Sequence, residues 1–235
     1  MKKVKLFSII VIIVEILIIG CIPAPIRNIS EVGYIKEGFS ESSLESEGLA
    51  LLPIVAGQGQ EAYRRPLAEA INQSIQKAKP ELKFLNWEET MSILNKEKLV
   101  EKYQKAISSY RETAIIDHDL LQEIGEALGT RYLLFISLEE FHKSSKSQYY
   151  IGAGWHTSKT AKVDAFAQIW DCSTGDVVWE GRGAAESEGT ELTYDEGYEK
   201  YCNIAAEGLI CKLFNIKPIK EKASEEESQK SLMNE

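Results

Sequence analysis

Between residues 6 and 20 the chain is apolar at every position except Ser8 and Glu15, and no later stretch repeats that density. Residues 22–47 then turn Pro-, Ser- and Glu-rich with no sustained period, which predicts a flexible tether. Its 26 residues would span about 28 Å as a coil and about 90 Å fully extended. Residues 48–214 carry the periods of a folded domain. Residues 49–56 are continuously apolar around Pro53, as in a strand covered on both faces, with the proline marking an edge or a bulge. Leu67, Ile71, Ile75 and Ala78 give a helical face, and Pro66 fits only its first turn, so the helix starts near Arg65. Residues 83–85 form a short second strand. Asn86 and Glu89 have capping-box spacing, and Leu99, Tyr103, Ala106, Ile107 and Tyr110 continue one apolar face through a long helical region. Asp117 caps a further helix, with Ile116 and Leu121 placed as a hydrophobic staple. Leu120, Ile124 and Leu128 form its buried face and Gly129 its end.

Three strand-like runs follow, at 132–141, 163–170 and 176–186, the last two joined by the turn Ser173-Thr174-Gly175. A Thr193-x-x-Glu196 box opens a final helix whose stripe is Tyr198, Cys202, Ala205, Ala206, Leu209 and Leu213. The expected order is β-α-β-α-α-β-β-β-α. That is an α/β (α+β) sandwich with a mixed four- to five-stranded sheet flanked by helices. Residues 215–235 are charged and apolar-poor, which predicts a disordered tail.

The apolar N-terminus is preceded by Lys2, Lys3 and Lys5 and is shorter than the roughly 18–20 residues of a spanning helix. Basic-then-apolar is the order of a secretory signal. It ends in Ile18-Ile19-Gly20-Cys21, which resembles the lipobox of bacterial lipoproteins. The resemblance implies cleavage between Gly20 and Cys21, a diacylglyceryl thioether on Cys21 and acylation of the new N-terminus by a palmitate-type chain. An uncleaved signal anchor is the alternative. Ile22 is not the aspartate that usually retains diderm lipoproteins at the inner membrane. That implies an outer-membrane address facing the periplasm if the source has two membranes.

Charge narrows the partners. The formal net charge is −9, and loss of residues 1–20 removes three lysines and one glutamate to leave −11. Nucleic-acid affinity rests on basic side chains displacing counterions, so nucleic acid is excluded as a partner. Anionic headgroups would also repel the chain, leaving the acyl chains on Cys21 as its expected membrane link. Of the remaining cysteines, Cys202 and Cys211 fall on opposite faces of one helix and cannot bridge each other. A disulfide from Cys172 to either one, or three buried free thiols, both remain open.

Several stretches of the domain resemble a known one. Leu49-Ala50-Leu51-Leu52-Pro53, the turn Leu128-Gly129-Thr130-Arg131-Tyr132-Leu133-Leu134 and the hairpin from Gln168 to Glu180 with its Asp171-x-x-Thr174-Gly175 are similar to the α/β domain of certain envelope lipoproteins. That group includes the penicillin-binding-protein activator LpoB, the curli secretion channel CsgG and the polysaccharide-export lipoprotein PelC. The match covers residues 48–214, and its motifs are structural signatures rather than chemical sites. The tether is short beside that of the synthase activator. Residues 144–162 have room for one short hairpin, too little for a barrel like that of the channel. The polysaccharide-export type is closer in size.

Chemical motifs are weak. Gly57-Gln58-Gly59-Gln60-Glu61-Ala62 fits a dinucleotide fingerprint formally. However, the helix begins too late to present its N-terminus to a pyrophosphate, and the acidic residue expected about 20 positions on is missing. His118 lies between Asp117 and Asp119, as at a helix start, where aspartates favour the positive end of the dipole. No G-x-S-x-G, H-E-x-x-H or P-loop occurs, so the expectation is a non-enzyme without cofactor or metal. Two surfaces have the composition of interfaces, Tyr63-Arg64-Arg65 and the hairpin bearing Tyr149, Tyr150 and Trp155. The expected function is a lipid-anchored envelope protein acting by protein–protein binding, as an adaptor or regulator. The alternative is a ring-forming subunit of an export or secretion apparatus.

Overall fold

A computed structural model of the chain describes residues 26–151, 154–190 and 197–216. Its elements are β1 (Arg27–Asn28), β2 (Glu31–Ile35), α1 (Glu41–Glu47), β3 (Leu49–Leu51), β4 (Val55–Ala56), α2 (Arg64–Ala78), β5 (Phe84–Leu85), α3 (Trp87–Lys96), α4 (Val100–Thr113), α5 (His118–Leu128), β6 (Tyr132–Tyr150), β7 (Gly154–Asp171), β8 (Asp176–Thr190) and α6 (Tyr198–Leu213). A 3-10 turn, Glu61–Tyr63, leads into α2. The helix therefore begins where Pro66 can occupy its first turn.

The sheet has eight strands in the order β1-β8-β7-β6-β3-β5, with β2 also on β8 and β4 also on β6. It is mixed. β3 runs parallel to both β5 and β6, whereas β6, β7 and β8 form an antiparallel meander. Alternation in the strands divides the core. Leu49 and Leu51 of β3 join Leu134, Ile136 and Leu138 of β6 against α2 and α6. Ala50 and Leu52 join Leu133 and Phe135 against α3, α4 and α5. The result is three layers, with helices on both faces of the sheet, which is why β3 reads as an unbroken apolar run.

Local signals place the helix ends. The Asn86 side chain accepts from Glu89 N at 2.9 Å while Glu89 accepts from Asn86 N at 3.1 Å, the reciprocal capping box. Asp117 caps α5 by accepting from Leu120 N, and Gly129 closes that helix in the left-handed region. Pro53 falls in the gap between β3 and β4, where no ladder hydrogen bond is asked of it.

Four expectations need correction. Residues 26–47 are folded rather than a tether: β1 and β2 pair antiparallel with β8, and Leu44 of α1 is fully buried. The pairing is reinforced by Asn28 Nδ2 donating to Ile204 O at 3.0 Å and by Lys36 on Asp176 at 2.5 Å. These strands raise the sheet from the expected four or five strands to eight. The long helical region is two helices, broken where Lys98 takes φ 59°, so three helices rather than two lie between β5 and β6. The strand runs extend past their expected ends at 141 and 186, to Tyr150 and Thr190. The expected box at Thr193 and Glu196, the leader with Cys21, the first residues of the tether and the tail beyond Ile216 lie outside the described residues.

The cysteines resolve simply. Cys172, Cys202 and Cys211 are all buried, and no disulfide joins any two of them. Cys172 belongs to the core layer under α5, and Cys202 to the opposite layer under α6. Burial pushes both thiols up to about 12.

Candidate functional site

The meander strands outrun the helices that cover them. β6 is buried from Tyr132 to Ile136, whereas beyond Phe141 none of its residues is buried. Pairing with β7 continues regularly from Phe141↔Val163 to Tyr150↔Gly154. Among the described residues β8 accompanies this ribbon as far as Thr190 opposite Ser158, and beyond that pair only β6 and β7 are paired. Nine or so residues past Phe141 give it a reach of about 30 Å.

A polar lock holds the ribbon's base. Asp164, with a side chain only 1% exposed, receives both Nε and Nη2 of Arg182, the former at 2.6 Å. Lys162 bridges from Glu140 at 2.6 Å to Asp164 at 3.2 Å. Burial alone would raise the Asp164 carboxyl, but hydrogen bonds from Arg182 and Lys162 outweigh it and hold it below the usual carboxylate value. On the other flank Tyr63 stacks on Phe141 with ring centroids 3.7 Å apart, and Tyr198 meets Tyr63 edge-on at 5.6 Å.

The tip is aromatic. Tyr149 and Trp155 face each other across the strands with centroids 5.5 Å apart, and Tyr150 sits edge-on to His156 at 6.2 Å. Exposure is high: Trp155 74%, Tyr149 61%, Tyr150 50% and Ile151 98%. Below the tip both faces carry Ser, Thr, Gln and Lys, so neither resembles the lipid-facing side of a barrel strand. Residues 142–162 include four lysines and no acidic residue, in a chain whose net charge is −9. No helix among the described residues is long and apolar enough to cross a membrane, and no group among them could hold a metal ion.

The two expected surfaces fare differently. Tyr149, Tyr150 and Trp155 are brought together at one tip. Tyr63, Arg64 and Arg65 are adjacent in sequence but separate in space. Tyr63 packs at the ribbon's base, Arg65 makes an exposed i,i+4 pair with Glu69 at 2.8 Å, and Arg64 turns into a cleft beside α3 and α4. Gly57 and Gly59, the glycines of the formal dinucleotide fingerprint, lie in an exposed loop ahead of the 3-10 turn. His118 stands at the start of α5 beneath the β7–β8 turn, where a Cβ on Gly175 would come within 2.9 Å of its ring.

That turn also joins two of the signature motifs. Arg131 of Leu128-Gly129-Thr130-Arg131-Tyr132 reaches Asp171 of the hairpin with Nε at 3.0 Å and Nη2 at 2.7 Å. Asp171 also accepts from Ser173 N at 2.9 Å and from Ser173 Oγ at 2.7 Å. Both motifs therefore build one structural clamp. A second exposed surface, Val32, Tyr34 and Ile35 on strand β2, falls within residues 22–47, where the sequence predicts a tether. Its signal was the run Val32-Gly33-Tyr34-Ile35, strand-forming residues in a polar setting.

No family model matches the chain. No curated protein matches it either. Among solved structures it is similar to the PelC dodecamer from Paraburkholderia phytofirmans, with 12% identity, a TM-score of 0.44 and coverage of 82% of this chain and 99% of that one. It is also similar to lipoprotein GNA1162 from Neisseria meningitidis, with 13% identity, a TM-score of 0.35 and coverage of 65% and 89%. The C-terminal domain of LpoB from Salmonella enterica follows at 11% identity, a TM-score of 0.27 and coverage of 58% and 80%. These are loose likenesses.

Proposed function

We propose that this protein is a lipid-anchored, non-catalytic component of a bacterial cell envelope, held by acyl chains on Cys21, that acts by binding another protein. In a two-membrane envelope it would sit on the outer membrane facing the periplasm. The observation that carries the binding role is the ribbon tip: four large apolar side chains, strongly exposed, on a paired hairpin braced at its base. A two-stranded ribbon without a core is marginal in water, and aromatic side chains dominate interface hot spots. The basic ribbon, whose Lys162 is already held by Glu140 and Asp164 at the base, favours an acidic protein surface.

A second reading is supported by the same charge distribution. All 36 acidic residues of the chain lie outside residues 142–162, so the body of a second copy offers the complementary sign. Ribbon-to-body contact is heterologous and would close into a ring or extend as a filament.

The test is a photoreactive residue at position 155 in cells, with one at Glu112 on α4 as control, alongside the native mass of the lipidated protein in mild detergent. Adducts from position 155 alone support binding through the tip. A discrete large oligomer then assigns the partner as a second copy, and a monomer assigns it to another protein. Equal adducts from both positions, or none from 155, would overturn the role of the tip. For the anchor, incorporation of an alkyne-tagged palmitate should vanish in Cys21→Ala.

A further inference from the structure

Arg64 does not join the ribbon. It lines a cleft of about 520 Å³ bounded by the chain bend at Pro53, the first turn of α2 and the facing sides of α3 and α4. The bend follows β3, so the cleft opens outside the carboxyl end of a parallel strand, the usual ligand position in open α/β sheets. Its volume is that of a small-molecule site. Apolar side chains such as Met91, Leu94 and Ile107 line it together with two arginines, and no Asp or Glu does.

The polar groups are specific. Tyr103 donates its hydroxyl to Pro53 O at 2.9 Å and braces the bend. Arg111 Nη2 donates to Ala56 O at 2.9 Å, and no carboxylate lines the cleft to pair with the rest of its guanidinium. The Nε of Arg64 is buried and has no hydrogen-bond partner. Arg64 is only half-buried and lines the cleft wall, where a guanidinium is a ready partner for an anion. In an acidic protein, two cations over an apolar floor with no counter-charge make a receptor for an amphiphilic anion.

We propose that this cleft binds a small organic anion, a carboxylate or phosphate head on a short apolar body, with Arg64 and Arg111 taking the head. The site is separate from the ribbon tip and does not depend on it.

The experiment is calorimetric titration of the full chain in mild detergent with hexanoate and with hexyl phosphate, and with hexyltrimethylammonium as the cationic control. At least one anion should bind with a Kd below about 10 mM. Whichever binds more tightly identifies the head as carboxylate or phosphate. Arg64→Gln should weaken it by about tenfold, the worth of one charge-assisted hydrogen bond. Gln104→Glu, at an exposed position on the rim, should do the same with no effect on folding, so the outcome does not hang on whether Arg64→Gln folds. Trp155→Ser at the ribbon tip should leave binding unchanged. Equal binding of the cation, binding indifferent to Gln104→Glu, or no binding by either anion would overturn the proposal.

Discussion

The inner and outer halves of β6 belong to one strand but answer to different physics. From Tyr132 to Leu138, alternate residues feed two separate cores, and a slip of register by one would exchange them. From His142 to Tyr150 the pairing stays regular, yet no residue is buried, and order comes from the ladder and the lock at the base. The inner half is specified by what it packs against within the chain. The outer half leaves its large apolar side chains exposed at the tip.

That contrast yields a graded set of expectations. Leu134→Ala in the inner half should cost about 2–5 kcal/mol in chemical denaturation, as a transfer loss plus a cavity. An effect below 1 kcal/mol would mean that the core is far looser than its complete burial implies. Asp164→Asn at the junction should cost about 1.5–3 kcal/mol at neutral pH, the range of hydrogen bonds to a charged group. Because the folded Asp164 carboxyl titrates below its ordinary value, its contribution is present above that value and lost as pH falls through the folded one. The stability gap between wild type and Asp164→Asn should therefore close in acid. A gap independent of pH would assign the loss to packing instead.

Replacing residues 147–157 at the end of the ribbon with an Asn-Gly turn should change stability by less than about 1 kcal/mol while abolishing co-purification of the protein that the tip crosslinks. A large loss of stability would show that the outer half supports the body. Smallest of all, Trp155→Ser should shift unfolding by no more than about 0.5 kcal/mol, the range for exposed positions. Its binding phenotype should far exceed its stability phenotype.

What the sequence discloses divides along similar lines. The Asn86–Glu89 box, the Asp117 cap, the Gly129 stop and the break at Pro53 each depend on neighbours within a few positions, and each is where local rules put it. The N-terminal strands are not local: β2 has an exposed pattern throughout and becomes a strand only because β8, some 150 residues away, offers an edge. The outer ribbon is legible only as room for a short hairpin at 144–162, since Ser, Thr and Lys on both faces leave no period to place its strands. The tip was legible because tyrosines and tryptophan stand out in such a stretch. Arg64 stands with Tyr63 and Arg65 in the sequence, but the helix start turns adjacent side chains in different directions, and only the packing of α3 and α4 forms the cleft. The Arg131–Asp171 clamp joins residues 40 apart and carries no spacing signal.

The folding of residues 26–47 onto β8 changes how far the molecule can work from its anchor. With a lipid on Cys21 as proposed, only four residues separate the anchored cysteine from Ile26, where the described structure begins, and five steps of extended chain cover at most about 18 Å. The body would then be less like a buoy on a rope than a fixture bolted near the bilayer, searching a volume little larger than itself. Confinement of that kind raises the effective concentration of the ribbon for any partner in the same membrane. A partner anchored elsewhere would have to bring the reach itself.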